Sequence, residues 1–213
     1  MHSLLQRLFR EAPLYPILDT SLLWKVSPPA GIKPLLRAGV RIIQYRHKAR
    51  FRRKDFDECS ALADQVHQAG GLFLVNDRAD VAALCGADGV HLGQLDLPPV
   101  KARQFLGEEK IIGFSTHSRE QAVQAETCPV DYIAIGPIFA TRTKQDPDPV
   151  VGLELISEIR KFTAKPLVAI GGITLENAPS VLRAGADAVA VISDLLVAED
   201  LESRARRFLA ELR

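Results

Sequence analysis

The chain has 213 residues, of which 47% are hydrophobic and 25% charged, with 27 Lys and Arg against 26 Asp and Glu. A formal net charge of +1 argues against a general nucleic-acid or membrane-surface binder, which carries a cationic excess. The apolar content excludes disorder, and a chain this long buries roughly 70% of its unfolded surface, so it needs no disulfide framework.

In chain order, the first segment interrupts its leucines with Arg7, Arg10 and Glu11. It lacks the apolar stretch of a secretory signal and predicts a short amphipathic helix over 1–12 that packs on the body. No run of 18 apolar residues follows, so no membrane span is predicted. The three cysteines, Cys59, Cys85 and Cys128, are scattered without Cys-x-x-Cys spacing. They predict buried thiols in a reducing, cytoplasmic compartment.

Eight short apolar runs then alternate with helical patterns, at 14–18, 40–44, 72–75, 89–92, 111–114, 132–135, 167–170 and 188–192. Their length and Val/Ile content are those of parallel strands buried on both faces. Apolar residues at helical spacing mark 55–68, 153–162, 175–184 and 201–212. Eight units of about 27 residues predict one domain, 1–213, folded as a (β/α)8 TIM barrel. An open doubly wound sheet is the rival on strand count alone. Gly-Ala-Asp before a strand recurs at Gly86-Ala87-Asp88 and Gly185-Ala186-Asp187, a weak internal echo.

A barrel carries its site at the C-terminal ends of its strands, so polar residues just after each run are the candidates. After the second run, Gln44, Arg46 and Lys48 alternate to one side, with Tyr45 and His47 on the other; an amide and two cations there suit a phosphorylated ligand. The basic stretch Arg50, Arg52, Arg53, Lys54 reads as a solvated loop. Asn76 and Asp77 follow the third run and Asp96 the fourth. Two carboxylates at adjacent mouths suit Mg2+ shared with phosphate oxygens, whereas the plainer reading makes each an N-cap. Ser115 and His117 follow the fifth run without the Gly-x-Ser-x-Gly of a hydrolase elbow. His91 lies within the fourth run and reads equally as a mouth residue or a structural histidine. Thr141, Arg142, Thr143 and Lys144 sit in a long loop after the sixth run, suited to close over an anion. Gly171-Gly172 and Ile192-Ser193 end the seventh and eighth, the recurrent phosphate position of barrels.

Taken together, Gln44-x-Arg46-x-Lys48, Asn76-Asp77-Arg78, Gly89-Val90-His91-Leu92-Gly93-Gln94-x-Asp96, Gly113-x-Ser115-Thr116-His117, Thr141-x-Thr143-Lys144, Gly171-Gly172-Ile173 and Ile192-Ser193 resemble the thiamine-phosphate synthase family. The likeness runs from about Tyr15 to Leu196. It implies a transferase that joins 4-amino-5-hydroxymethyl-2-methylpyrimidine diphosphate to a thiazole phosphate and releases pyrophosphate. It further implies that Gln44, Arg46, Lys48, Asn76, Ser115 and Lys144 hold the pyrimidine diphosphate, with Arg46, Lys48, Ser115 and Lys144 assisting the reaction. Asp77 and Asp96 would bind Mg2+, and Thr141, Thr143, Gly172, Ile192 and Ser193 would receive the thiazole phosphate.

On that assignment roughly −5 of ligand charge meets about +5 from Mg2+, Arg46, Lys48 and Lys144, against about −2 from Asp77 and Asp96. The partners implied are two small phosphorylated substrates, with neither nucleic acid nor membrane. The sequence leaves assembly into a homo-oligomer open. Two other readings stay in view: a thiazole tautomerase on the same barrel, which would not need the diphosphate-and-metal half, and a non-catalytic sensor of phosphorylated ligands.

Overall fold

Eight parallel strands pair in sequence order and close, β8 returning to β1, into a barrel wrapped by helices. The computed structural model describes residues 2–20, 28–141, 143 and 148–212. The order is α1 His2–Glu11, β1 Leu14–Asp19, α2 Pro28–Ala38, β2 Ile42–Arg46, α3 Arg53–Gln68, β3 Leu72–Asn76, α4 Ala79–Leu84, β4 Gly89–Leu92 and α5 Pro99–Leu106. The second half continues β5 Ile111–Thr116, α6 Arg119–Thr127, β6 Tyr132–Ile135, α7 Gly152–Arg160, β7 Leu167–Ile170, α8 Ala178–Arg183, β8 Ala188–Val191, α9 Ser193–Leu196 and α10 Leu201–Glu211. This is the (β/α)8 barrel expected from the runs, not the open sheet.

Each strand is apolar because its two faces meet two cores. Outward residues such as Ile43, Phe73, Val90 and Ile133 pack against the helices. Inward residues such as Ile17, Leu74, Ile111, Val168 and Ala190 fill the barrel, together with Tyr15 and Tyr132. The lower end of that inner core is plugged by α1, whose Leu5, Leu8 and Phe9 are buried against it.

The echoed Asp before a strand has a physical cause. Asp88, Asp131 and Asp187 stand immediately before β4, β6 and β8 and accept the backbone N–H of Phe73, Ile112 and Leu167 at 2.7, 2.5 and 2.7 Å. Each also binds a side chain from the helix that leads into that neighbouring strand: His67 at 2.8 Å, Arg103 at 2.7 Å and Arg160 at 2.5 Å. The device recurs every second strand and so ties the barrel floor together; Arg41 occupies the matching place before β2.

Two elements start later than expected. β2 begins at Ile42 rather than Val40, because Gly39 takes φ +106° and the Val40 N–H closes the end of α2 on the Leu35 carbonyl at 3.1 Å. α8 begins at Ala178, since the N–H groups of Thr174 and Leu175 are taken by the side chains of Asn177 and Asp194 at 2.8 and 3.0 Å. Cys59 and Cys85 are buried side by side, Sγ to Sγ 3.5 Å, and Cys128 is half-buried. Among the described residues no helix is long and apolar enough to cross a membrane.

Candidate active site

The C-terminal ends of the strands surround a cavity of about 530 Å3. Its floor is apolar, formed by Ile17, Ile170 and Ala190. Its walls hold Gln44, Arg46, Lys48, Asn76, Asp77, Asp96, Ser115, Thr141, Thr143, Gly172, Ile192 and Ser193. Every predicted site residue is therefore brought to one place except Lys144, which lies outside the described residues together with Arg142.

Alternation along β2 sends Gln44, Arg46 and Lys48 into the cavity. Tyr45 and His47 face outward, where Tyr45 donates to Glu58 at 2.9 Å and His47 meets Thr20 at 2.7 Å. Arg46 is ion-paired with Asp19, the last residue of β1, whose side chain has 0% exposure. Asp19 changes the charge balance read from sequence: Arg46 is already partnered before any ligand arrives. Asp19 meets the same criterion as the other site residues, since it directly follows the run 14–18.

Lys48 Nζ donates to Asp77 Oδ2 at 2.5 Å. Asp77 is the one described non-glycine residue with positive φ, +64°, a left-handed conformation that Asp tolerates better than most residues. Its N–H donates to the His91 carbonyl at 2.8 Å, which turns the chain so that the carboxylate faces Asp96. Burial, then the neighbouring Asp77 carboxylate, push the Asp96 carboxyl above the ordinary carboxylate range, against the lowering effect of the Gly93 N–H it accepts at 2.7 Å. Neither Asp is an N-cap, for Arg78 precedes α4 and Pro98 precedes α5. Two carboxylates crowded this way at the cavity mouth form a donor set that fits a hard divalent cation. Beside them, Asn76 lines the cavity and its Nδ2 is buried without a partner.

His91 is buried on β4, its Nδ1 2.8 Å from the Tyr132 hydroxyl and its Nε2 2.8 Å from Ser115 Oγ. Burial pushes its pKa down to about 4, so the ring is neutral at physiological pH. The serine's histidine partner is thus His91 and not His117. His117 instead sets Nδ1 2.6 Å from the Gly136 carbonyl and faces Asp148 at 3.7 Å.

On the far wall, Thr141 and Thr143 pair their hydroxyls at 3.3 Å. Gly172 has φ +62°, and a Cβ there would stand 2.4 Å from the Ala140 carbonyl oxygen and 2.8 Å from Phe139 Cβ. The glycine is demanded by the close approach of the loop after β6, which also donates Phe139 N–H to the Gly171 carbonyl at 3.0 Å. Ile192 and Ser193 follow β8 at the edge of the same wall. The stretch Arg50, Arg52, Arg53 and Lys54 is exposed and takes no part in the cavity wall.

Fold and site together define a (β/α)8 barrel enzyme with a polar cavity mouth above an apolar floor. Residues 14–195 match the family model described as thiamine monophosphate synthase. Thiamine-phosphate synthases of Koribacter versatilis and Pelotomaculum thermopropionicum are 51% and 44% identical over 83% and 84% of this chain, and 82% of each of theirs. The solved thiamine phosphate pyrophosphorylase of Pyrococcus furiosus superposes with a TM-score of 0.87 at 35% identity, covering 96% of this chain and 97% of that one. The chain belongs to the thiamine monophosphate synthase family.

Proposed function

We propose that the protein is a thiamine-phosphate synthase, a transferase that acts on 4-amino-5-hydroxymethyl-2-methylpyrimidine diphosphate and 4-methyl-5-(2-phosphoethyl)thiazole, or its carboxylated form. The observation that carries the reading is that one cavity gathers cations and amides on the β2–β5 side and glycine loops with hydroxyls on the β6–β8 side. Two anion-binding ends thus flank an apolar floor on which aromatic rings can lie.

In this reading the C–O bond between the pyrimidine methylene and the diphosphate breaks, and its electron pair leaves with the diphosphate. The pyrimidine amino group stabilises the resulting cation, and the thiazole nitrogen lone pair forms the new C–N bond. Such a dissociative path needs no protein nucleophile. It needs stabilisation of the departing anion and alignment of the second substrate. Gln44, Arg46, Lys48, Asn76, Ser115 and Lys144 bind the diphosphate half. Thr141, Thr143, Gly172, Ile192 and Ser193 receive the thiazole phosphate.

Asp77 and Asp96 would hold Mg2+, and the crowding of their carboxylates favours a cation between them. When bound, such an ion supplies neutralising charge to the diphosphate oxygens. Free thiols, two of them in contact without a disulfide, fit a cytoplasmic enzyme. The test is pyrophosphate release with both substrates, against controls that each lack one. A thiazole tautomerase or a ligand sensor releases none.

A further inference from the structure

We propose that His91 is a positioning residue that fixes the direction of the Ser115 hydroxyl. It does so at the end of a buried hydrogen-bond chain running from Gln44 through Tyr15 and Tyr132. The proposal rests on the cavity being the substrate site, and adds a device that lies beneath its floor.

The chain crosses the barrel interior from β2 to β5 by way of β1, β6 and β4. Gln44 Nε2 donates to the Tyr15 hydroxyl at 3.0 Å. With Gln44 donating to its oxygen, the relay has Tyr15 direct its single proton to the Tyr132 oxygen 3.1 Å away. In that direction Tyr132 gives its proton to His91 Nδ1, 2.8 Å away. A neutral imidazole that accepts at one nitrogen carries its hydrogen on the other. Nε2–H therefore donates to Ser115 Oγ at 2.8 Å, and the serine's own proton points into the cavity. The reverse direction would have Ser115 donating to His91 and would turn only oxygen lone pairs toward an anionic ligand, at an electrostatic cost. It would also be the arrangement of an activated nucleophile, which the proposed reaction does not use.

The surroundings hold the relay in place. A Cβ at Gly113 would lie 2.0 Å from Tyr132 Cζ and 2.3 Å from its hydroxyl, so glycine on β5 makes room for the phenol. Phe9, from the helix that plugs the barrel, packs on Tyr15 and Tyr132 with ring centroids 6.2 and 6.1 Å away. His91 stacks on Tyr132 at 5.6 Å and 22°. Burial keeps both phenols protonated, with Tyr15 pushed up to about 12.

Two measurements on the full chain test this. In 15N-correlated NMR at neutral pH, with the His91 signals identified by their loss in His91→Gln, Nδ1 should be pyridine-like and Nε2 should carry the proton. A hydrogen on Nδ1 overturns the proposal, and this readout does not depend on the protein having the proposed activity. The second is a double-mutant cycle on pyrophosphate release. Tyr132→Phe should lower kcat about tenfold with little change in KM, the scale of one hydrogen bond to a charged group. In a Ser115→Ala background the same change should do nothing further, because the relay then has no terminus. Multiplicative losses would show that Tyr132 acts as packing alone and would refute the relay. Tyr15→Phe, which breaks the chain one link earlier, should follow the same pattern and serves if Tyr132→Phe folds poorly.

Discussion

Arg46, the last residue of β2, is ion-paired with Asp19, the last residue of β1, whose side chain is fully enclosed. The neighbouring strands place both groups in register, Asp19 opposite Arg46. The guanidinium is thereby aimed before ligand binds, which reduces the ordering cost of recognising the diphosphate proposed for it. Asp19→Asn keeps the shape and removes the charge. It should raise the KM for the pyrimidine diphosphate about tenfold, or about 1.4 kcal/mol, and leave the KM for thiazole phosphate unchanged. Steady-state kinetics with each substrate varied in turn checks the split.

Gly172 lines the wall proposed to receive the thiazole phosphate. Because its Cβ would strike the Ala140 carbonyl and Phe139, Gly172→Val displaces the loop after β6 in addition to straining a positive φ. The expected result is a KM for thiazole phosphate raised tenfold or more, with a smaller effect on the diphosphate. By contrast, Lys48→Ala, across the mouth, should chiefly lower kcat, since that charge matters most as the diphosphate leaves. A Gly172→Val enzyme impaired only toward the pyrimidine substrate would reverse the assignment of the pockets.

Asp131 belongs to the floor of the barrel and is 2% exposed between Arg103 and the Ile112 N–H. Asp131→Asn leaves a buried guanidinium without its counter-charge, a loss on the order of 3–5 kcal/mol. Chemical denaturation should show a lower midpoint, while kcat of the folded fraction stays at the wild-type value because the opposite end of the barrel carries the site.

His91 makes stability fall in acid. Its folded pKa, pushed down to about 4 by burial, lies below the ordinary value of about 6.5. The unfolded chain therefore binds the proton first as pH drops. Stability is complete above about pH 6.5 and is lost progressively toward pH 4, by about 3 kcal/mol for this group. Denaturation of metal-free protein at pH 7 and pH 4.5 should show the loss, and His91→Gln should flatten that part of the profile.

Much of this architecture was legible in the residues. Runs such as 167–170 and 132–135 are strands because β-branched and apolar side chains can be buried on both faces, and the polar residues that directly follow them open onto the cavity. Helix starts were less legible. The N–H groups of Thr174 and Leu175 go to Asn177 and Asp194, one of which is far along the chain. The relay was hidden because Tyr15 and Tyr132 sit inside apolar runs and read as core aromatics. Their hydroxyls acquire meaning only when β1 and β6 converge inside a closed barrel. The role of His91 stayed undecided for the same reason, since its two partners come from β5 and β6.

The central claim is most directly tested by following pyrophosphate when both substrates are mixed with the purified protein and Mg2+. Release should require both substrates, stop in excess chelator and resume on adding Mg2+, and fall by several orders of magnitude in Asp77→Ala, as expected when neutralisation of the leaving group is lost. A folded wild-type protein that releases no pyrophosphate under these conditions, or one that turns over fully in chelator, would contradict it.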